Sequence, residues 1–127
     1  MDGGSRGNPG PAAAAAVITT PEGEVVDQAM EVIGTATNNV AEYRGVLLGL
    51  RRAREQGATE VDIVNDSELV ASQVNGSYKV KHPDMKPLHA EVMEELKDFD
   101  RWSIRNVPRE QNADADALVN KALDAAA

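Results

Sequence analysis

The sequence predicts an α/β fold in which helices pack on a mixed sheet, and two observations support this. Two β segments joined by a tight turn follow a glycine-rich stretch at the amino terminus. Strand and helix patterns then alternate to the end of the chain, which indicates a sheet covered by helices. The length of 127 residues corresponds to a single domain, residues 1–127.

The first predicted elements are strands. Residues 2–11 contain four of the ten glycines and two of the six prolines, so we expect a loop with unusual backbone angles there. A strand can reach only into the first few of these residues. Residues 12–20 and 24–33 then form a predicted β-hairpin around the turn at Pro21-Glu22-Gly23.

A helix is predicted between Asn39 and Gly57. Asn39 is suited to cap it, Glu42 three residues later completes a capping box, and Gly57 ends it. Its apolar side chains recur at helical spacing, at Val40, Tyr43, Leu47 and Leu50.

The rest of the chain predicts two more strands and three more helices. Strands are expected at residues 60–65 and 102–107, and helices at residues 66–74 and 88–99. Asn112 is suited to cap a final helix that runs through Ala126. The buried stripe of that helix would consist of Ala115, Leu118, Val119, Ala122 and Ala126.

The composition excludes several classes of protein. A formal net charge of −8 is opposite in sign to that of a protein that binds nucleic acid through bulk charge. The absence of cysteine excludes a disulfide scaffold, a thiolate zinc site and a cysteine nucleophile. The longest apolar stretch, residues 12–18, is far shorter than the roughly 20 residues of a membrane span. With no signal-peptide pattern at the start either, we expect a cytoplasmic protein.

Four acidic residues are candidates for a functional site, although each also has a structural explanation. Asp2 could serve a turn before glycine, Glu42 the capping box, Asp66 a helix cap, and Asp116 the first turn of a helix.

The placement of Glu42 and Asp66 favours a site. Glu42 shares a helix face with Val46, Gly49 and Ala53, which suits close packing on a sheet, and Asp66 lies where a strand ends and a helix begins. Two acids brought together there repel each other unless a cation or a proton compensates. Oxygen ligands with few histidines and no cysteine favour Mg²⁺ over zinc.

Four blocks of the sequence resemble those of the ribonuclease H type 1 family, in the family's order and near its spacings. They cover essentially the whole chain: DGGSRGNPGPA at residues 2–12, TNNVAEYRGVLLGL at 37–50, DSELV at 66–70 and VPREQNADADALVNKAL at 107–123. The resemblance implies a ribonuclease H-like fold, with a mixed five-stranded sheet and helices on both faces. Only Met1 precedes Asp2, so the first strand is expected to be shortened.

The resemblance also implies an activity. The family's four metal-binding acids correspond to Asp2, Glu42, Asp66 and Asp116, which would bind two Mg²⁺ ions, with Mn²⁺ as a substitute. Asp116 is preferred to Asp114 because it is the acid of the pattern ADALVN. Two metals would promote hydrolysis of the RNA strand of an RNA/DNA hybrid, leaving 5′-phosphate and 3′-hydroxyl ends.

Further residues acquire roles from the same resemblance. Asn8, Asn38 and Asn39 would bind the hybrid, and the backbone at Gly3 and Gly4 would approach it closely. Turn and cap chemistry remains the alternative for the asparagines.

Two departures from the family pattern concern basic residues. Arg109 stands where many members have a catalytic-loop histidine, as in a subgroup with arginine there, while His82 and His89 are expected to be surface residues. The segment at residues 75–87 is too short for the basic protrusion of some relatives, so Lys79 and Lys81, with Lys86, would provide a smaller grip or simply a solubilising loop.

Two other functions remain open at this point. The chain could be a hybrid-binding module impaired in catalysis by its short first strand, or a nuclease of the same fold that cuts double-stranded RNA or DNA. In each case we expect a monomer with no obligate protein partner.

Overall fold

The computed structural model describes residues 1–126. Within them the strands are β1 (Asp2–Ser5), β2 (Gly10–Thr19), β3 (Val25–Ala36), β4 (Glu60–Asn65) and β5 (Arg101–Asn106). The helices are α1 (Asn38–Glu55), α2 (Glu68–Val74), α3 (Lys86–Leu96) and α4 (Ala113–Ala126), with a 3₁₀ turn at Arg109–Asn112 before α4. The order of strands and helices agrees with the sequence prediction.

The five strands form two hydrogen-bonded ladders. One is antiparallel in the order β1-β2-β3, and the other is the parallel pair β4-β5. The amino group of Met1 donates to the carbonyl oxygen of Val64 at 3.0 Å and so links β1 to β4. The predicted α/β fold with a mixed set of strands is confirmed, but the ladders meet at this contact instead of forming one continuous five-stranded sheet.

A gap separates β2 from β4 beyond Met1. Two cavities of about 390 and 470 Å³ lie there and share the lining residues Met1, Val17, Thr19, Asp62, Val64 and Arg105. We call this space the β2–β4 gap.

Helices cover both faces of the antiparallel ladder, as predicted. Ala16 of β2 packs in the cluster that contains α1, α2 and α3, whereas Ala13 and Ala15 pack against α4. The side chains alternate because consecutive strand residues point to opposite faces. Small residues let the helices approach: a Cβ on Gly3 would lie 2.0 Å from the carbonyl oxygen of Ala41, so β1 and α1 touch through their backbones.

The predicted helix caps are wrong. The Thr37 hydroxyl accepts from the backbone N–H of Val40 and caps α1, so Asn39 lies inside the helix. Ser67, not Asp66, caps α2 in the same way. Asn112 ends the 3₁₀ turn that runs directly into α4, and its buried side-chain amide donates to the carbonyl oxygen of Met1.

Several boundaries also differ from the prediction. β3 continues three residues past 33 to Ala36, where it still pairs with Gly10 of β2. The third helix begins earlier, at Lys86, and ends at Leu96, while Phe99 is buried just beyond it. On α4, Ala126 is exposed and Leu123 is buried in its place.

Within residues 1–126, no helix is both long and apolar enough to cross a membrane.

Candidate metal and nucleic-acid cleft

Three of the predicted acids meet where β1, α1 and β4 converge. Asp2 begins β1, Glu42 lies in the first turns of α1, and Asp66 directly follows β4. One carboxylate oxygen from each lies within 4.8 Å of the other two. The link between Met1 and Val64 sets β1 beside β4. Three elements distant in sequence thus converge on one acidic cluster.

Asp116 lines the same cleft from α4. Its Oδ1 accepts a hydrogen bond from Nη2 of Arg109 at 2.9 Å. Asp114 is exposed and lines the cavity at the β2–β4 gap instead. Asp116, and not Asp114, therefore borders the cleft that the other three acids line.

The electrostatic environment of the cluster is unfavourable for carboxylates. Burial, with further contributions from Asp66 and Asp116, raises the pKa of Asp2 to about 7. Burial and then the charge of Asp2 raise the pKa of Glu42 to about 9. Neither acid has a Lys, Arg or His partner among the residues that the structure describes. No side-chain cation of the described residues therefore contacts either carboxylate, although the Met1 ammonium and the Arg109 guanidinium act on the cluster at longer range.

The residues of the cluster suit a divalent metal. Oε2 of Glu42 is buried and has no hydrogen-bond partner, so an oxygen with a free lone pair points into the protein. The donors are carboxylate oxygens, which hard cations such as Mg²⁺ prefer. A cation bound to these oxygens would satisfy Glu42 and would lower the pKa of both buried acids.

The cleft has a volume of about 410 Å³, and several predicted substrate-binding residues line it. Gly3, Gly4, Asn38 and Asn39 are among them. Asn8 lies outside, but its Oδ1 accepts a hydrogen bond from the backbone N–H of Asn38 at 3.1 Å. Four of these five residues thus border the cleft, and the fifth supports one of them.

The predicted basic residues lie elsewhere. Lys79 lines a separate surface cavity with Lys86 and His89, and Lys81 is exposed. His89 is partly buried, with Nε2 3.1 Å from the carbonyl oxygen of Gln73, so its prediction as a surface residue is wrong. His82 is exposed, as predicted, and lies beside Asp84.

The lining of the cleft also includes polar residues to which the sequence analysis assigned no role, among them Arg6, Ser67 and Asn120. Each had a signal. Ser67 follows Asp66 directly, Arg6 belongs to the glycine-rich block, and Asn120 lies one helical turn after Asp116. The side-chain amide of Asn120 donates to the backbone carbonyl of Asp116 at 3.2 Å.

Comparison with known proteins identifies the family. A family model described as Reverse transcriptase-like matches residues 1–122. The crystal structure of RNase H1 from the halophilic archaeon Halobacterium salinarum aligns with a TM-score of 0.94 and 43% identity, over 97% of this chain and 93% of that one. The chain belongs to the ribonuclease H type 1 family.

Two further relatives extend this ribonuclease H comparison. The bifunctional protein Rv2228c of Mycobacterium tuberculosis is 49% identical over 127 residues, which are 99% of this chain and 35% of that protein. The chain thus spans about a third of the length of its mycobacterial relatives. LC11-RNase H1 in complex with an RNA/DNA hybrid aligns with a TM-score of 0.94 and 40% identity, over 98% of this chain and 94% of that one.

Proposed function

We propose that this chain is a Mg²⁺-dependent endoribonuclease that hydrolyses the RNA strand of RNA/DNA hybrids. The observation that carries the proposal is the cleft in which oxygens of Asp2, Glu42 and Asp66 lie within 4.8 Å of one another. The similarity to LC11-RNase H1, whose structure contains a hybrid, supports this choice of substrate. Residues 1–127 would act as one catalytic domain, as a monomer without an obligate protein partner.

Four carboxylates would hold the metal. Asp2, Glu42, Asp66 and Asp116 all line the cleft and offer oxygen ligands for two Mg²⁺ ions, for which Mn²⁺ can substitute. Bound there, the ions would supply Lewis-acid activation of a water molecule and stabilisation of the leaving oxygen, chemistry that would leave 5′-phosphate and 3′-hydroxyl ends. The unpartnered Oε2 of Glu42 supports its role as a ligand.

The walls of the cleft would position the hybrid. Asn38 and Asn39 offer side-chain amides, and the absence of a side chain at Gly4 leaves the backbone of β1 open towards the cleft, which Gly3 also lines. Asn8 would orient Asn38 through its hydrogen bond. Recognition of the RNA strand would depend on its 2′-hydroxyls, which lie in the wide minor groove of such a duplex.

Basic residues outside the acidic cluster would contact phosphates. Lys79 and Lys81 are exposed on the segment between α2 and α3. Arg109 carries its charge at the cleft itself, next to Asp116, where it would act in catalysis. Because the net charge of the chain is −8, we expect weak hybrid binding that weakens further as salt rises.

A cleavage assay with matched substrates tests the proposal. The chain is incubated with Mg²⁺ and a labelled hybrid, single-stranded RNA, double-stranded RNA or DNA of one sequence. We expect cleavage of the RNA strand of the hybrid alone, with 5′-phosphate ends. No cleavage, or equal cleavage of single-stranded RNA, would contradict the proposal. Hybrid binding without turnover would instead indicate a binding module, and preferential cleavage of a homoduplex would indicate a different nuclease.

A further inference from the structure

Arg109 is the basic residue paired with a carboxylate of the acidic cleft. Its Nη2 lies 2.9 Å from Oδ1 of Asp116, while Asp2, Glu42 and Asp66 form no ion pair within the described chain. The hydrogen bond and charge of Asp116 raise the pKa of the Arg109 guanidinium, and the charges of Asp2 and Asp66 add to this effect. One guanidinium thus lies within electrostatic reach of three cleft acids.

The pair is placed so that it can open. The Arg109 side chain is 70% exposed, whereas that of Asp116 is 25% exposed, so the guanidinium approaches the carboxylate from the solvent side. Arg109 lies on the short 3₁₀ turn that precedes α4, and Asp116 lies on the helix itself. An exposed ion pair of this kind is weak, so a competitor for the carboxylate can displace the arginine at little cost.

A divalent cation is such a competitor. It would bind the same carboxylate that Arg109 holds, and its charge would repel the guanidinium. When both cations are at Asp116 they repel each other, so each weakens the hold of the other on this carboxylate.

We propose that Arg109 is a positioning residue that holds Asp116 in the metal-free cleft, releases it when a divalent cation enters, and so sets the cation concentration at which the cleft fills. This inference rests on the proposed function, because it assumes that Asp116 is a metal ligand. The inference goes beyond that function because it identifies the Arg109 guanidinium as a cation of the protein itself that competes with the metal for Asp116.

Substitution of Arg109 separates this role from a structural one. Arg109→Gln removes the competing charge, so Mn²⁺ should bind the substrate-free protein about 2- to 5-fold more tightly, the range expected for loss of an exposed ion pair. Arg109→Lys keeps a positive charge and should restore affinity close to that of the wild type. Arg105→Gln is the matched control, because it removes an exposed ion pair with Asp62 outside the cleft, and it should leave Mn²⁺ affinity unchanged. Isothermal titration calorimetry measures all three.

Thermal unfolding distinguishes this role from a purely structural one. In EDTA, Arg109→Gln should melt below the wild type because it loses its pair with Asp116, and in saturating Mn²⁺ this difference should disappear. A deficit of equal size in both conditions, or Mn²⁺ affinity no higher than that of the wild type, overturns the inference. If either of these results is found while the wild type cleaves hybrid, only the role of Arg109 is refuted and the proposed function stands. A wild-type chain that neither binds Mn²⁺ nor cleaves hybrid refutes the proposed function as well.

Discussion

The acidic residues beside the outer face of α1 and those in the cleft lie in opposite electrostatic environments. Outside, Arg52 binds Asp27 through two hydrogen bonds of 2.7 and 2.8 Å and holds the pKa of Asp27 below its usual range. Inside, burial raises the pKa values of Asp2 and Glu42. Arg52 of α1 thus pairs with an acid of β3, whereas Glu42 of the same helix has no ion-pair partner among the described residues. The comparison teaches that the unpaired carboxylates of the cleft lower the stability of the metal-free protein. A cation from solution can take the place of the ion-pair partner that they lack.

The largest expected effect comes from removing one cleft charge. Asp66→Asn keeps the size of the side chain but loses an anionic oxygen of the cluster. We expect hydrolysis of the hybrid to fall by about 1000-fold, because a metal ligand contributes several kcal/mol to the transition state. The fold should persist, as measured by circular dichroism.

A control on β4, the strand that leads to Asp66, sharpens this prediction. Asp62→Asn makes the same chemical change four residues earlier, where the acid pairs with Arg105 outside the cleft. Its turnover should remain close to that of the wild type, because an exposed pair contributes little. Near-normal turnover by Asp66→Asn would contradict the metal assignment.

A smaller effect is expected on the stability of the metal-free protein. The pKa of Asp2 rises from 3.8 to about 7, and that of Glu42 rises from 4.5 to about 9. The folded protein therefore keeps protons that the unfolded chain has lost. This stabilisation is complete below about pH 4 and is lost as the pH rises through 7 and 9. We expect the free energy of unfolding in EDTA to fall continuously as the pH rises from 5 to 8.

Urea unfolding at several pH values measures this slope. Glu42→Gln cannot ionise, so its unfolding free energy should depend less on pH, and saturating Mg²⁺ should flatten the slope of the wild type. A metal-free stability that increases between pH 5 and pH 8 would be evidence against an uncompensated acidic cluster.

The smallest effect extends the comparison to an uncharged group. Asn65 precedes Asp66 on β4, is fully buried, and has no hydrogen-bond partner for either side-chain atom. Asn65→Leu keeps a similar shape and removes this unsatisfied amide, so it should raise the free energy of unfolding by about 1 kcal/mol. The urea midpoint measures the change, and a lower midpoint would indicate that the amide has a partner in solution.

The order of elements was predictable from sequence because apolar spacing reports which face of each element is buried. The local roles of polar residues were not. Thr37, Asn38 and Asn39 can all cap a helix, as can Asn65, Asp66 and Ser67, and sequence alone does not choose among neighbours. Because the hydroxyl groups of Thr37 and Ser67 cap α1 and α2, the carboxylate of Asp66 is not used as a cap and lines the cleft.

The acids of the site were predictable mainly through the family resemblance, whereas their partners were not. The contact between Arg109 and Asp116 depends on how a 3₁₀ turn meets α4, and that turn has no periodicity to detect. The division of the strands into two ladders was also not predicted, since the number of strands does not determine whether adjacent strands pair along their length.

The contact between Met1 and Val64 has a practical consequence for anyone who prepares this protein. The amino group of Met1 is buried enough that its pKa is lowered, and it faces the β2–β4 gap. Fusing an affinity tag ahead of Met1 replaces that ammonium with a neutral amide, which can still donate to Val64. The residues placed ahead of Met1 then begin at the β2–β4 gap. We therefore expect the midpoint of thermal unfolding to differ between fusions that place different residues there.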